Sequence, residues 1–182
     1  MDLTEQILDF WYAGNFDVRR KAWFLKDDAF DAEIRSRFGA DAERAAEGQL
    51  DQMAKQPLSA LALILMLDQF PRNLYRNDAK TFATDGKAVE IARCAIANGH
   101  VRQLTVVQKI FFYLPFEHSE NLADQDLAVE YCTALGDEDY LKYAIAHRDV
   151  IAKFGRFPHR NKVLGRETTQ EEEAYLSEHG GF

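Results

Sequence analysis

The stretch Leu58-Ser59-Ala60-Leu61-Ala62-Leu63-Ile64-Leu65-Met66-Leu67-Asp68-Gln69-Phe70-Pro71-Arg72-Asn73 decides how the chain folds. From Ala60 to Leu67 every residue is apolar, so a helix through it has no polar face. Such a helix must be buried on all sides, with other elements packed around it. Pro57 suits a first helical turn, and Pro71 disfavours helical geometry at Phe70. The spacing therefore predicts a helix over 58–69. An apolar run of this length falls well short of the ~20 residues that span a bilayer, so it reads as a core helix. Asp68 sits at the C-terminal end of that helix, where both the macrodipole and burial disfavour a carboxylate. It needs a cation, and Arg72, Arg76 and Arg156 are the candidates.

Working outward, the punctuation is helical throughout. Asp2 with Glu5 forms a capping-box pattern, and Gly14 closes a first helix carrying Ile7, Leu8, Phe10 and Trp11. Asp27 or Asp28 opens an element with Phe30, Ile34 and Phe38 that stops at Gly39, and a short Ala-rich helix follows to Gly48. Asp85 opens a helix ending near Asn98-Gly99. Thr105 with Gln108 caps a helix that ends before Pro115. Further helices run from about Asn121 to Gly136 and from Glu138 to Phe154, the latter stopped by Gly155. Thr168 with Glu171, or Thr169 with Glu172, caps a last acidic helix. Alternating β-branched runs are absent. The expectation is an all-α chain forming a single compact domain over residues 1–182, built of stacked antiparallel helical hairpins such as 85–98 with 105–114 and 121–135 with 138–154. No repeat at the ~34-residue period of tetratricopeptides is present.

The chain has 182 residues, with 30 acidic against 22 basic side chains and a net charge of −8. The surplus of acid argues against a nucleic-acid partner, since a phosphate backbone requires a basic footprint. The 47% hydrophobic content is that of a globular protein, not a disordered one. The opening Met1-Asp2-Leu3-Thr4-Glu5 has neither the basic start nor the apolar core of a secretory signal, and no apolar run suits a membrane. A cytoplasmic location is expected. Cys94 and Cys132 are too few for a disulfide framework or a structural zinc site, and both read as buried free thiols.

Three long segments carry a family resemblance. They are Leu67-Asp68-Gln69-Phe70-Pro71-Arg72-Asn73, Phe116-Glu117-His118-Ser119-Glu120, and Phe154-Gly155-Arg156-Phe157-Pro158-His159-Arg160-Asn161 with Leu164-Gly165-Arg166. Together with Ile7-Leu8-Asp9-Phe10-Trp11 and Trp23-Phe24, they resemble the signature segments of a bacterial family known as domain of unknown function 924. Met53 departs from the pattern, which favours Trp there. The resemblance implies a compact helical fold similar to the tetratricopeptide-like superfamily and implies no activity.

Chemistry concentrates in the same three segments. Residues 150–166 hold Lys153, Arg156, Arg160, Lys162 and Arg166, with His159 and no acid. A basic patch on an acidic chain is a candidate anion site, and arginine binds carboxylate or phosphate with two parallel bonds. His147 falls on the apolar stripe of helix 138–154, so it should point inward and require a hydrogen-bond partner. The favoured reading is a helical binding module whose pocket is lined by Arg72, Asn73, His118, His147, Arg156, His159 and Arg160. It would hold a small anionic molecule or an acidic peptide end. The alternative is a small hydrolase, with or without a metal, using Asp68, Glu117, His118 and His147. A purely structural role stands beside both, with Asp68 in an ion pair, His147 a satisfied core histidine, and the basic stretch paired with Glu171, Glu172, Glu173 and Glu178 of the last helix. No P-loop or dinucleotide fingerprint is present, so no cofactor is expected, and no ligand spacing points to a metal. Ser119 beside His118 lacks nucleophile–base geometry. The oligomeric state is left open.

Overall fold

The computed structural model describes residues 1–181. The fold is all-α, with no strand among the described residues. The helices are α1 (Leu3–Tyr12), α2 (Asp28–Ala46), α3 (Pro57–Ile64), α4 (Phe70–Leu74), α5 (Asp85–Ala97), α6 (Val106–His118), α7 (Leu122–Leu135), α8 (Glu138–Phe154) and α9 (Gln170–His179). Backbone contacts divide the chain into two compact units. One comprises Met1–Arg76 with Lys80–Pro115; the other comprises 77–79 and the residues from 116 onward. No described helix is long and apolar enough to cross a membrane.

In the first unit α3 is the buried centre, and Ala60 to Ile64 are fully enclosed. Helices α1 and α5 pack against it, while α2 packs on α4. Trp11 anchors the aromatic part of this core. It stacks on Trp23 at 5.8 Å and meets Phe111 edge-on at 5.5 Å. The chain after α1 is pinned by two donors that complete the exposed carbonyls of the helix end: Arg20 bonds to the Phe10 and Trp11 oxygens, and the Trp23 indole N–H to Trp11 O at 2.8 Å.

Three helix boundaries differ from the sequence reading. The first concerns Gly39, which lies inside a continuous α2. Glycine in a helix interior costs only about 1 kcal/mol. That is too little to break a helix whose Phe30, Ile34, Phe38, Ala42 and Ala45 form one buried stripe. The second is Pro115, which lies inside α6. Losing a helical bond there costs about 3 kcal/mol. Phe111, Phe112 and Phe116 are fully buried, and each contributes about 1.5–3 kcal/mol.

The third boundary is at Pro71, where the predicted stop gives way to a widened turn. Residues Leu65–Gln69 form a π-helical turn, and the Phe70 N–H bonds to Leu65 O, five residues back. Helix α4 then continues through Pro71. Proline has no N–H for the preceding turn, so the Leu67 carbonyl finds another donor, the Thr84 hydroxyl at 2.5 Å. Cys94 also departs from expectation. The buried stripe of α5 is Ala88, Val89, Ala92 and Ala95, and Cys94 projects from the opposite side and is exposed. Cys132 is buried, and desolvation pushes its thiol up to about 12.

The second unit is built on the α7–α8 hairpin. Its turn is set by Gly136, with φ of 75°, and by the Asp137 side chain capping α8. Thr169 and Glu172 form the capping box of α9.

Thr84→Val should strand the buried Leu67 carbonyl and lower stability by about 1–3 kcal/mol. Urea unfolding followed by circular dichroism should show an earlier midpoint with native helix content unchanged. An unshifted midpoint would show that the widened turn does not depend on this hydroxyl.

Candidate functional site

The first polar segment belongs to the first unit, and its charges are met there. Asp68 is fully buried. Its carboxylate accepts from Gln69 Nε2 at 2.6 Å and lies 3.5 Å from Arg72 Nη1. Arg72 also makes a two-pronged pair with Asp85 at 2.9 and 3.0 Å and donates to the Asp68 carbonyl. Burial opposes the Arg72 charge, and the two neighbouring carboxylates outweigh it, so its pKa is raised. Asn73 donates to Asp31 at 2.7 Å, and Arg76 grips the same carboxylate. Of the three cations offered for Asp68, the structure gives it Arg72.

The second and third segments belong to the second unit, where they meet. The Gln125 side chain clamps the end of α6, donating to the carbonyls of Glu117 at 2.6 Å and Ser119 at 2.7 Å. Ser119 donates its hydroxyl to Asp124. Glu117 is thereby held with its carboxylate 3.2 Å from His147 Nδ1. His147 reaches that point from α8, one turn beyond Ala144 on the buried stripe. Its ring lies 6.3 Å from that of His118 and edge-on to Phe157 at 5.6 Å. Phe157 in turn carries His159 at 5.6 Å and the Arg160 guanidinium at 4.4 Å. His147, His159 and Arg160 therefore gather around one fully buried phenyl ring, with His118 beside His147.

The protonation of His147 follows from its neighbours. Nδ1 faces the Tyr143 carbonyl at 2.9 Å and the Glu117 carboxylate, and a carbonyl oxygen can only accept. The hydrogen therefore sits on Nδ1 and the lone pair on Nε2. Burial pushes the ring's pKa down to about 3, opposed by the bond to Tyr143 O and reinforced by the positive charges of His118, Arg160 and His159. His147 is neutral at pH 7. Among the described residues no three His, Cys, Asp or Glu side chains form a metal-holding group.

The remaining basic residues of 150–166 are largely spoken for. Arg156 grips Glu172 at 2.6 and 2.9 Å and also donates to the Glu167 carbonyl. Lys153 pairs with Glu171 at 3.2 Å. Arg166 forks onto Glu120 at 2.7 and 3.0 Å. Arg156 thus ties α9 to the end of α8 and does not join the histidine cluster.

The family model for a bacterial protein of unknown function, DUF924, matches residues 7–180. The chain belongs to this family. A solved structure of a protein of unknown function from Agrobacterium tumefaciens, ATU0120, is similar at 45% identity and a TM-score of 0.89, covering 97% of each chain. No curated protein matches.

The family's signature segments divide by role in this fold. Asp68, Arg72 and Asn73 close charge networks in the first unit; Glu117, His118, His159 and Arg160 gather at His147 in the second. The sequence reading did not single out Gln125, Glu120, Arg166 or Asn161 for these positions. Glu120 and Arg166 are 46 residues apart, and no spacing rule links them. Glu120, Asn161 and Arg166 do lie in the signature segments, whereas Gln125, on α7, lies outside them.

Two acid-labile contributions follow. The folded-state pKa of His147 is depressed from 6.5 to about 3, so its share of stability is full above pH 6.5 and is lost as pH falls toward 3. Glu172, depressed from 4.5 to about 2 chiefly by Arg156, loses its share between pH 4.5 and 2. Urea midpoints measured from pH 7 to 3 should fall continuously, with His147→Gln flattening the upper part of the curve and Glu172→Gln the lower. Nitrogen NMR should show His147 as the neutral Nδ1–H tautomer at pH 5; a ring titrating near 6.5 would overturn the assignment.

Proposed function

We propose that the second unit binds a small anionic ligand, a carboxylate or phosphate, at the His118–His147–His159–Arg160 cluster, and that the protein acts in the cytoplasm as a binding module. The observation that supports this most directly is the field at His147. Three cationic or protonatable side chains, His118, His159 and Arg160, bear on one buried ring. An anion placed among them would be stabilised by positive charge on all three. Arginine over a phenyl face supplies a rigid donor fork, and the two partly exposed histidines can supply further N–H donors.

The same geometry speaks less for hydrolysis. Glu117 orients His147 as an acid orients a catalytic base. A base with a pKa near 3, however, has little driving force to remove a proton at pH 7, where catalytic efficiency favours values near the working pH. Asp68, the other proposed carboxylate, is held by Gln69 and Arg72.

A thermal-shift series with phosphate, citrate and acetate tests the binding reading. At a hundredfold excess over Kd a ligand stabilises by about 2.7 kcal/mol. For a chain of this size that is a Tm rise of about 5–10 °C. His159→Ala should remove most of the rise. No shift with any of the three at saturating concentration would defeat the proposal.

A further inference from the structure

The chain that follows α9 turns back onto the cluster. Gly180, the C-cap of α9, has φ 72° and ψ −150°, a backbone region essentially confined to glycine. This turn aims the next residue at His159. A Cβ built on Gly181 would stand 2.7 Å from His159 Cβ and 2.9 Å from Cγ, closer than real atoms approach. The contact is therefore open to glycine only, and it rests on the stem of the imidazole, which cannot swing aside as a long flexible side chain would. Two successive positions thus require glycine for two different reasons, one conformational and one steric. Around them α9 is fixed to the rest of the second unit by Glu172, which accepts bonds from Arg156, Asn161 and Thr169. The tail leaves from a firmly held helix and arrives at one of the anion-site histidines.

We infer that Gly180–Gly181 is a strap laid over His159, and that it lifts when an anion occupies the histidine–arginine cluster. This rests on the anion-binding reading above. The tail backbone and a ligand compete for the same face of His159, so the strap lowers apparent affinity by the fraction of time it is open. An open fraction of about one-tenth would weaken binding about tenfold. A chain with the strap displaced should bind correspondingly tighter.

Gly180→Val and Gly181→Val displace the strap without touching the buried core, and native melting curves would confirm that both fold. Two measurements are made on each. The rate at which diethylpyrocarbonate modifies His159, followed by peptide mass spectrometry, reports cover over the ring. Calorimetric titration with inorganic phosphate and with citrate reports the site. Faster modification together with about tenfold tighter binding in both variants is the expected result. Modification at the wild-type rate, with phosphate or citrate binding intact, would overturn the strap while sparing the anion site. Faster modification with unchanged affinity would overturn the competition. If neither anion binds wild type or variants, the anion reading falls and the gating falls with it.

Discussion

The second unit depends on how Glu120 holds the chain after α8. Its carboxylate accepts the Phe157 N–H at 2.8 Å and both arms of the Arg166 guanidinium. Arg166 also donates to the Phe157 carbonyl and to the Asn161 side chain. The loop from 157 to 166 is thus closed on itself and tied to the end of α6 by one carboxylate. Its bonds to the arginine and to the backbone hold the Glu120 acid below its ordinary pKa, in spite of the desolvation that pushes it up. Phe157 can then be completely buried, because the polar backbone on either side of it is satisfied. With Phe157 fixed, His159 and Arg160 have little choice of position, and both fall beside His147. The cluster follows from that loop closure.

The division of labour among basic residues explains why net charge was a poor guide to the site. Residues 150–166 look like one patch in the sequence. In the fold, Lys153, Arg156 and Arg166 each face an acid of the same unit. The bidentate and partly buried pairs, Arg156–Glu172 and Arg166–Glu120, fix geometry; Lys153–Glu171 is exposed and contributes little. What acts on His147 is not the patch as a whole but burial first, and then three particular side chains, His118, Arg160 and His159. A site of this kind is tuned by burial more than by the number of cations.

The architecture was legible because helix signals are local. Asn121 at a helix start, Gly136 and Gly155 as stops, and the second of the two capping boxes offered for the last helix, Thr169 with Glu172, each act within one turn, and the structure uses each as the sequence suggests. The failures were at Gly39, Pro71 and Pro115, where a local breaker met a long apolar stripe. Burial decided all three, and burial is a property of the assembled core that no window of neighbours contains. The site was half legible for the same reason. That His147 points inward follows from its place on the stripe with Tyr140, Ala144 and Ile151. That Glu117 faces it, and that Arg156 is claimed by Glu172, are contacts across 30 and 16 residues, set by how helices pack and not by spacing.

The two proline-bearing signature segments show how similar loop chemistry can be put to different ends. Phe70-Pro71-Arg72-Asn73 and Phe157-Pro158-His159-Arg160-Asn161 both place a buried phenylalanine before proline, followed by cationic side chains and an asparagine. In the first, the proline is absorbed into a widened helix, and the arginine turns to two carboxylates, Asp68 and Asp85. In the second, the helix has already ended at Gly155, so proline starts a short 3₁₀ turn and the cations project around the phenyl ring. The difference lies in what precedes the motif. After an all-apolar helix with a buried Asp68, the nearest arginine is needed to neutralise that acid. After α8, Glu120 and Glu172 take Arg166 and Arg156 as their hydrogen-bonding partners, the Arg160 charge also acts on Glu120, and His159 and Arg160 both bear on the His147 imidazole.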